Sequence, residues 1–421
     1  MKITNNIKTP FEYIKTLFKW LFISLIVGGT GGVVGSLFHI SVDYVTELRE
    51  ENFWLIFLLP LGGVLICFLY RLALKAGQLD TNRVIQATNT DATVPFVMAP
   101  LIFLSTVITH LVGGSAGREG AALQLGGSIG FSLGKIFKLN KGDKHIIVMT
   151  GMSALFSALF GTPAAAVFFS LEVTNVGVMA YPALFPCVIS SLISSKVSSL
   201  LNVAPVRFLD IKMPEAISLE LMGKVIILAV FLALVSILFC FIIKKCEHLS
   251  EKWFKNSYIR ALVGGGILIL LTLVLGTTDY NGAGFDVINR AMQGEARYEA
   301  FILKILFTAI TIAAGFKGGE IVPAFFVGST FGCVLAHLLG LDPAFGAAIG
   351  FVALFCGVVN CPVASFVLAL EVFGGKAMLV FFLVCATSYM MSGYWGLYKS
   401  QNFVSSKLKD EYVNLTTKDV I

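Results

Sequence analysis

Charge is scarce in this sequence: 13% of its 421 residues are Asp, Glu, Lys or Arg, and 57% are hydrophobic. A soluble domain is about 25% charged and about 45–50% apolar, so a soluble globular protein is excluded. Apolar runs of about 20 residues, enough to cross roughly 30 Å of hydrocarbon, recur along the chain. We therefore predict an all-α protein that crosses the lipid bilayer many times. The clearest runs are 17–44, 53–74, 146–171, 179–203, 221–243, 259–276 and 377–394.

The sequence also lacks the spacings typical of metal sites and disulfides. Its eight cysteines lie singly, most of them within apolar runs, and none forms a CxxC pair. We interpret them as small buried hydrophobic residues and expect neither a metal nor a cofactor. The net charge of +6 is interpreted as a signal of membrane orientation, and no nucleic-acid partner is expected.

Lysines at both ends of the apolar region predict how the chain is oriented. Since positively charged flanks stay inside the cell, both termini are predicted to be cytoplasmic, in the cell (inner or plasma) membrane. The first run is too long for a signal peptide and lacks an evident cleavage site. The last run is expected to end near Leu397, which leaves a polar tail with no room for a further domain. The lysines are Lys2, Lys8, Lys15 and Lys19 before the first run, and Lys399, Lys407 and Lys409 after the last.

An internal repeat divides the sequence. GREGAALQLGGSIG at 117–130 aligns with GEIVPAFFVGSTFG at 319–332, and TPAAAVFFSLEV at 162–173 aligns with CPVASFVLALEV at 361–372. Four lysines follow the first glycine-rich segment, whereas 333–350, after the second, contains no Lys or Arg, so the equivalent loops should lie on opposite faces of the membrane. We predict two inverted repeats, 17–204 and 205–398, between a cytoplasmic N-terminal segment, 1–16, and a cytoplasmic tail, 399–421.

Glycines interrupt the chain just before the first aligned segment, in GGSAGREGAALQLGG at 113–127. A helix that begins there inside the membrane presents free N–H groups and the positive end of its dipole, which suit an anion. The second repeat offers the same arrangement in GFKGGEIVPAFF at 315–326, where Pro323 suits a first helical turn. Two such helices pointing at each other predict an anion site built from backbone dipoles.

Two other interpretations of this stretch remain open. Small residues also permit close helix packing. The letters GGSAG at 113–117 fit the G-x-S-x-G pattern of serine hydrolases, with His110 nearby, but that elbow needs a strand before the serine, and here an apolar helix precedes it. An intramembrane hydrolase that uses Ser115 is therefore a remote alternative. We expect a protein that is not an enzyme and has no catalytic residues.

Glu119 is the candidate gate, because a carboxylate inside a membrane is costly and marks an ion or proton pathway. When Glu119 is deprotonated, its carboxylate can compete with an anion for the same N–H donors. When it is protonated, the side chain should leave these donors to the anion. Anion and proton movement are then linked. A salt bridge to Arg118 is the structural alternative. Glu172 and Glu371 occupy matching places in the repeats, and we interpret them as structural carboxylates that cap neighbouring backbone.

These motifs resemble those of the CLC anion channel and transporter family over essentially the whole chain. GREGAALQLGGSIG resembles the family's GREGP signature, with Ala121 in place of the proline, and GGEIVPAFFVGSTFG resembles its GGIFAP-type signature. The resemblance implies a homodimer with a pore in each subunit and about eighteen helices of uneven length. It also implies that Glu119 is the external gate and proton carrier, and that the amides of Glu320 and Ile321 contact the anion.

Departures from the chloride-type pattern are similar to the fluoride-exporting branch of that family. Thr81, in DTNRV, stands at the place of the anion-contacting serine, and Glu320 stands at a hydrophobic position. Val173 replaces a carboxylate that transfers protons in many exchangers. The end of the last predicted helix, SGYWGLYKSQ at 392–401, fits the branch's SGxxGIYxxQ pattern, which assigns the inner gate to Tyr398. Val322 stands where the branch often has threonine.

We therefore predict a CLC-type fold and proton-coupled halide transport, namely fluoride/proton antiport that exports fluoride, with a chloride/proton exchanger or chloride channel as the alternative. The expected partners are fluoride or chloride, protons, the lipid bilayer and a second copy of the chain. A protonated Glu320 would donate a hydrogen bond to fluoride; alternatively, Glu320 caps backbone or pairs with Lys317. The predicted anion-binding residues are Thr81, Gly117, Arg118, Glu320, Ile321, Val322 and Tyr398.

Overall fold

Two series of eight α-helices follow each other in the computed structural model, which describes residues 10–73, 79–214 and 218–420. Lys2 and Lys8 of the predicted N-terminal segment lie outside the described residues. The first series is α1 (Pro10–Glu51), α2 (Leu59–Leu72), α3 (Thr81–Ala87), α4 (Met98–Leu111), α5 (Glu119–Ile136), α6 (Lys141–Phe160), α7 (Pro163–Glu172) and α8 (Leu184–Leu200). The second is α9 (Leu219–Trp253), α10 (Ser257–Leu275), α11 (Phe285–Met292), α12 (Ala300–Ala313), α13 (Ile321–Leu338), α14 (Pro343–Val359), α15 (Pro362–Phe373) and α16 (Met378–Met391).

The helices of the two series match in order and length. For example, α4 and α12 have 14 residues each, and α5 and α13 have 18 each. The described residues thus form sixteen α-helices, close to the number that the resemblance implies. This confirms the predicted all-α architecture of two repeats with broken helices. Short 3₁₀ helices also occur, at Phe53–Leu58, Tyr181–Ala183 and Thr417–Val420.

Six helical segments of the described chain are long and apolar enough to cross a membrane. The apolar run 146–171, however, is divided between two helices. Gly161 ends α6 with a positive φ of 66°, and Pro163 begins α7, where its missing N–H costs nothing. The six segments are Pro10–Glu51, Phe53–Leu72, Tyr181–Leu200, Leu219–Trp253, Ser257–Leu275 and Ile321–Leu338.

Close packing explains some of the glycines, as the alternative interpretation proposed. Gly126 of α5 lies against the carbonyl of Gly151 in α6, so closely that a Cβ could not be added there. In the second repeat, Gly328 of α13 lies against Gly350 of α14 in the same way. These glycines let two helix backbones approach each other, which is a structural role. They lie inside the helices, well beyond the helix starts.

Two carboxylates join the repeats by equivalent contacts, as expected for structural caps. Glu172, at the end of α7, accepts hydrogen bonds from two amides in the first turn of α15. Glu371, in α15, accepts from two amides in the first turn of α7. Each therefore satisfies N–H groups that a helix start leaves without partners. The donors are Val363 (3.3 Å) and Ala364 (2.9 Å) for Glu172, and Ala164 (3.0 Å) and Ala165 (2.8 Å) for Glu371.

The C-terminal segment differs from the prediction. The last helix, α16, ends at Met391 rather than near Leu397, and the polar tail is partly ordered as a small sheet. Strand β1 (Asn175–Val176) pairs in parallel with β2 (Asn402–Ser405), which pairs antiparallel with β3 (Tyr412–Thr416). The buried side chain of Gln401 donates to the carbonyls of Val173 (2.9 Å) and Val359 (2.7 Å). These bonds tie the non-helical segment before β2 to both repeats, and that segment carries Tyr398.

Candidate anion site

The starts of α5 and α13 meet inside the protein. The amide of Gly117 donates to the carbonyl of Gly319 (2.6 Å), and the amide of Gly319 donates to the carbonyl of Gly117 (2.7 Å). This antiparallel pair holds two helix N-termini side by side, with Arg118 and Glu320 as their N-cap residues. Neither N-cap side chain accepts from its own helix, so first-turn amides of both helices are left for another acceptor. Ile321 and Val322, also predicted site residues, open the first turn of α13.

Glu119 is the first residue of α5 and is completely buried. Its Oε2 atom accepts from the amide of Val322, at 3.4 Å, across the junction between the two helices. Its Oε1 atom has no hydrogen-bond partner among the described residues. The carboxylate therefore occupies the N-terminus of the opposite helix, where an anion would also be stabilised.

Glu320 approaches the same junction from the other repeat. Its Oε2 atom lies 3.7 Å from the position that a Cβ of Gly120 would occupy, so the carboxylate faces the first turn of α5. None of the ion pairs in the described part of the chain joins it to Lys317, the alternative partner. The ammonium of Lys317 lies instead over the ring of Tyr70, 4.7 Å from its centroid. Two glutamates thus flank the meeting point of the helices.

An inner cavity of about 170 Å³ opens beside Glu320. Three predicted site residues, Thr81, Glu320 and Tyr398, line it together. Tyr398 is buried and its hydroxyl has no hydrogen-bond partner within the described ranges, whereas the hydroxyl oxygen of Thr81 accepts from Gln124 Nε2 at 3.0 Å. Since Thr81 accepts this bond, its own O–H is left to donate elsewhere. The cavity therefore offers two hydroxyl donors to an anion.

An outer cavity of about 470 Å³ lies beside the N-cap of α5 and includes Arg118. The Arg118 guanidinium pairs with Asp43 (2.6 Å) rather than with Glu119, so the salt-bridge alternative for Glu119 is not the observed arrangement. Glu119 lines neither of these two cavities, whereas Arg118, the residue before it, lines the outer one and Glu320 lines the inner one.

Ser115 and His110, the hydrolase alternative, are not joined by a hydrogen bond among the described residues. The Ser115 hydroxyl bonds to the hydroxyl of Thr308 (3.0 Å), and His110 Nδ1 contacts the carbonyl of Thr106 (2.9 Å). A helix, α4, precedes the serine, where the hydrolase elbow requires a strand. The local geometry therefore favours a structural role for both side chains.

Three polar residues beside the site carry functions that the sequence motifs do not indicate. Gln124 orients Thr81, Lys244 lines the inner cavity, and Asp43 holds Arg118. A signal existed for Gln124, which is the one polar side chain in the stretch 120–127 of α5. Lys244 and Asp43 come from α9 and α1, far from the aligned motifs in sequence, and only the folded chain brings them there.

Known proteins resemble this chain over most of its length. A family profile described as "Voltage gated chloride channel" matches residues 62–393. A "Chloride/fluoride channel protein" of Pseudomonas syringae pv. tomato is 34% identical over 94% of this chain and 89% of its own. The "H(+)/Cl(-) exchange transporter ClcA" of Vibrio cholerae is 26% identical over 85% of this chain and 82% of its own.

Solved structures agree with these sequence matches. A CLC-type fluoride/proton antiporter superposes with a TM-score of 0.89 at 30% sequence identity, covering 94% of this chain and 99% of the other. A slow cyanobacterial Cl−/H+ antiporter superposes with a TM-score of 0.77 at 19% identity, covering 89% and 94%, and this second match concerns the fold alone.

Proposed function

Because the chain belongs to the voltage-gated chloride channel (CLC) family, we propose that it exchanges fluoride for protons across the membrane and so exports fluoride. Membership of this family makes it a multi-pass membrane transporter of anions rather than an enzyme. The fluoride assignment is supported by the names of two relatives, the chloride/fluoride channel protein and the fluoride/proton antiporter, at 34% and 30% identity. Glu119 and Glu320, where the starts of α5 and α13 meet, supply the protonatable carboxylates that this exchange requires.

The observation that carries the proposal is the position of Glu119 Oε2, 3.4 Å from the amide of Val322. A carboxylate there uses a helix N-terminus that an anion would use in its absence. When an anion arrives, it competes for the amide, and a proton on Glu119 removes the carboxylate's charge and weakens its hold on that amide. An anion and a proton therefore take turns at one site, and each moves in the direction opposite to the other.

Glu320 favours fluoride over chloride. A carboxylate near an anion repels either halide on Coulomb grounds, so its presence beside the site needs a chemical reason. Fluoride is the conjugate base of a weak acid and a strong hydrogen-bond acceptor, so a protonated Glu320 can donate to it. Thr81, Tyr398 and the first-turn amides of α13 supply further donors. Gly117 and Arg118 immediately precede α5 and hold its start beside the start of α13, so that both helix N-termini face the proposed anion site.

Chloride/proton exchange is the second candidate. It is favoured by the 26% identity to a chloride exchanger and by Val322, which offers no side-chain donor where the fluoride branch often has threonine. The two candidates share the Glu119 chemistry and differ in the anion. Selectivity is therefore the property to measure.

Further parts of the proposal concern assembly and orientation. We propose a homodimer in the cell (inner or plasma) membrane with both termini cytoplasmic, and two repeats divided at residues 204 and 205. Lys138 and Lys141 should face the cytoplasm, and Asp342 the opposite side. Single cysteines placed at these positions in a cysteine-free background should be labelled from opposite faces, and labelling from the same face would refute the inverted orientation.

The decisive experiment compares anion efflux from proteoliposomes loaded with fluoride or with chloride. We expect fluoride to leave faster than chloride, with protons taken up in exchange. Glu320→Ala removes the donor and should narrow the difference between the anions by about tenfold, the effect of one hydrogen bond to a charged group. Glu320→Gln keeps an N–H donor and should narrow the difference less. If chloride moves as fast as fluoride in the wild type, the chloride candidate replaces the fluoride one.

A further inference from the structure

Lys244, on α9, is a buried cation without a partner. Its side chain is 7% exposed, and its Nζ atom has no hydrogen-bond acceptor in the described part of the chain. The other lysine buried in the membrane-spanning region, Lys304, donates to the carbonyls of Tyr280 (3.2 Å) and Gly282 (2.8 Å). An ammonium group is costly to bury unless an acceptor faces it. Lys244 therefore calls for an acceptor that the described residues do not supply.

The position of Lys244 indicates what that acceptor is. It lines the inner cavity of the site and also a second, outlying cavity of about 650 Å³. Glu247 and Lys399 line both cavities as well, but they neutralise each other in an ion pair of 3.0 Å. Lys244 is thus left as the uncompensated charge at the junction between the two cavities.

The charges around this junction favour anions. The outlying cavity carries Lys245 and Lys418 in addition to Lys244 and Lys399, against the two carboxylates Glu247 and Glu251. Within the inner cavity, the buried hydroxyl of Tyr398 shares the property of Lys244, since it too lacks a partner. The two unpartnered donors lie along the wall of one cavity, which marks a path for an acceptor rather than a packing fault.

We propose that Lys244 forms a binding site for a small monovalent anion, fluoride or chloride, at the junction of the outlying cavity and the inner cavity. The anion would occupy this site before it reaches Thr81 and Tyr398. The site deepens the proposed function and rests on it. By the predicted orientation, Lys399 and the tail lie on the cytoplasmic side, so the site would capture the anion that is to be exported.

The test is the dependence of proteoliposome efflux on the concentration of the loaded anion. Lys244→Met keeps the length of the side chain and removes its charge. We expect it to raise the half-saturating fluoride concentration about 10- to 100-fold, the worth of one hydrogen bond to a charged group, while the maximal rate stays near the wild-type value. Lys244→Arg keeps the charge and should stay within about threefold of wild type.

The matched control is Lys245→Met, the same change at the neighbouring, exposed position. It should alter half-saturation less than threefold; an effect equal to that of Lys244→Met would reduce the site to a general surface charge and overturn the proposal. An unchanged half-saturation in Lys244→Met, or a loss of maximal rate alone, would also overturn it. If Lys244→Met aggregates, Lys244→Gln is judged by the same criterion.

The wild type separates this proposal from the proposed function. If the wild type carries chloride rather than fluoride, the fluoride assignment fails, and the same series in chloride still decides the role of Lys244. If it carries fluoride and Lys244→Met behaves as wild type, only the Lys244 site is refuted. If it carries neither anion, both proposals are refuted.

Discussion

The starts of α5 and α13 share one backbone arrangement and carry different side chains. Gly117 and Gly319 exchange equivalent hydrogen bonds, of 2.6 and 2.7 Å. The next residue is Arg118 in one repeat and Glu320 in the other, and the residue after that is Glu119 in one and Ile321 in the other. The shared backbone offers the N–H groups and dipoles that the proposed anion binding requires. To the unshared side chains we assign the proposed coupling to protons.

The short helices α3 and α11 repeat this contrast. Thr81 begins α3 and turns a hydroxyl to the inner cavity, whereas Phe285 begins α11 and lies at the outer cavity, with the Arg118 guanidinium 5.7 Å from its ring centroid. A hydroxyl can donate a hydrogen bond to an anion, whereas a phenyl ring has no O–H or N–H donor. The inner and the outer cavity therefore offer different surroundings to an anion, although the folds of the repeats correspond.

The largest effect on anion efflux is expected from disrupting the close backbone contact between the starts of α5 and α13. A Cβ at Gly319 would lie 2.5 Å from the amide nitrogen of Gly120 and 3.0 Å from that of Glu119, so the start of α5 would have to move. Since displacements of about 1 Å at a reaction site cost about 100-fold in rate, Gly319→Ala should lower anion efflux by at least about that factor.

The control for this prediction is Gly266→Ala, because no atom lies within 4 Å of a Cβ added there. It should leave efflux unchanged. Efflux from Gly319→Ala within threefold of wild type would mean that the close approach of the two helix starts is not required.

The carboxylate caps allow a comparison of stability between the repeats. Glu172 is buried and bonds to the buried Ala364, whereas Glu371 is half-buried and one of its donors, Ala164, is exposed to water. Loss of a cap costs about 0.5–2 kcal/mol, and more where water cannot replace the acceptor. Glu172→Ala should therefore lower the thermal midpoint in detergent more than Glu371→Ala. The exposed Glu295→Ala is the control, and equal shifts for the two caps would contradict the role of burial.

A smaller effect is expected at Thr81. Thr81→Val keeps the shape of the side chain and removes the hydroxyl, whose hydrogen bond to a charged anion is worth about 1.5 kcal/mol, or about tenfold in the half-saturating anion concentration. The same measurement on Phe285→Leu, at the equivalent start of α11, should show no change. If the half-saturating anion concentration changed in Phe285→Leu and not in Thr81→Val, the anion would bind at the outer cavity rather than at the inner one.

Much of this architecture could be predicted from the sequence because the internal repeat makes the same motifs occur twice. The glycine motifs, the two helix starts and the structural role of Glu172 and Glu371 follow from aligned segments that occur twice. The apolar run 146–171 does not by itself reveal the break between α6 and α7, because the apolar pattern continues through it, although Pro163 marks the place. Hydrophobicity alone does not distinguish one long helix from two short ones.

Contacts between distant segments could not be predicted in this way. The pairing of Arg118 with Asp43 joins α5 to α1, and the bond from Gln124 to Thr81 joins α5 to α3. The sheet that holds the segment of Tyr398 forms between a tail strand and two residues after α7, too short a strand to leave a pattern in the sequence. Such contacts depend on tertiary packing, which local residue patterns do not encode.

The central claim is that one carboxylate, Glu119, couples the anion to the proton. Its most direct test is proton uptake by proteoliposomes under an outward fluoride gradient, for the wild type and Glu119→Gln, which mimics the protonated state permanently. The control is Glu47→Gln, an exposed carboxylate that lines the outer cavity. We predict that the wild type and Glu47→Gln take up protons, whereas Glu119→Gln does not, whether its anion flux continues or stalls. Proton uptake that survives in Glu119→Gln would contradict the account.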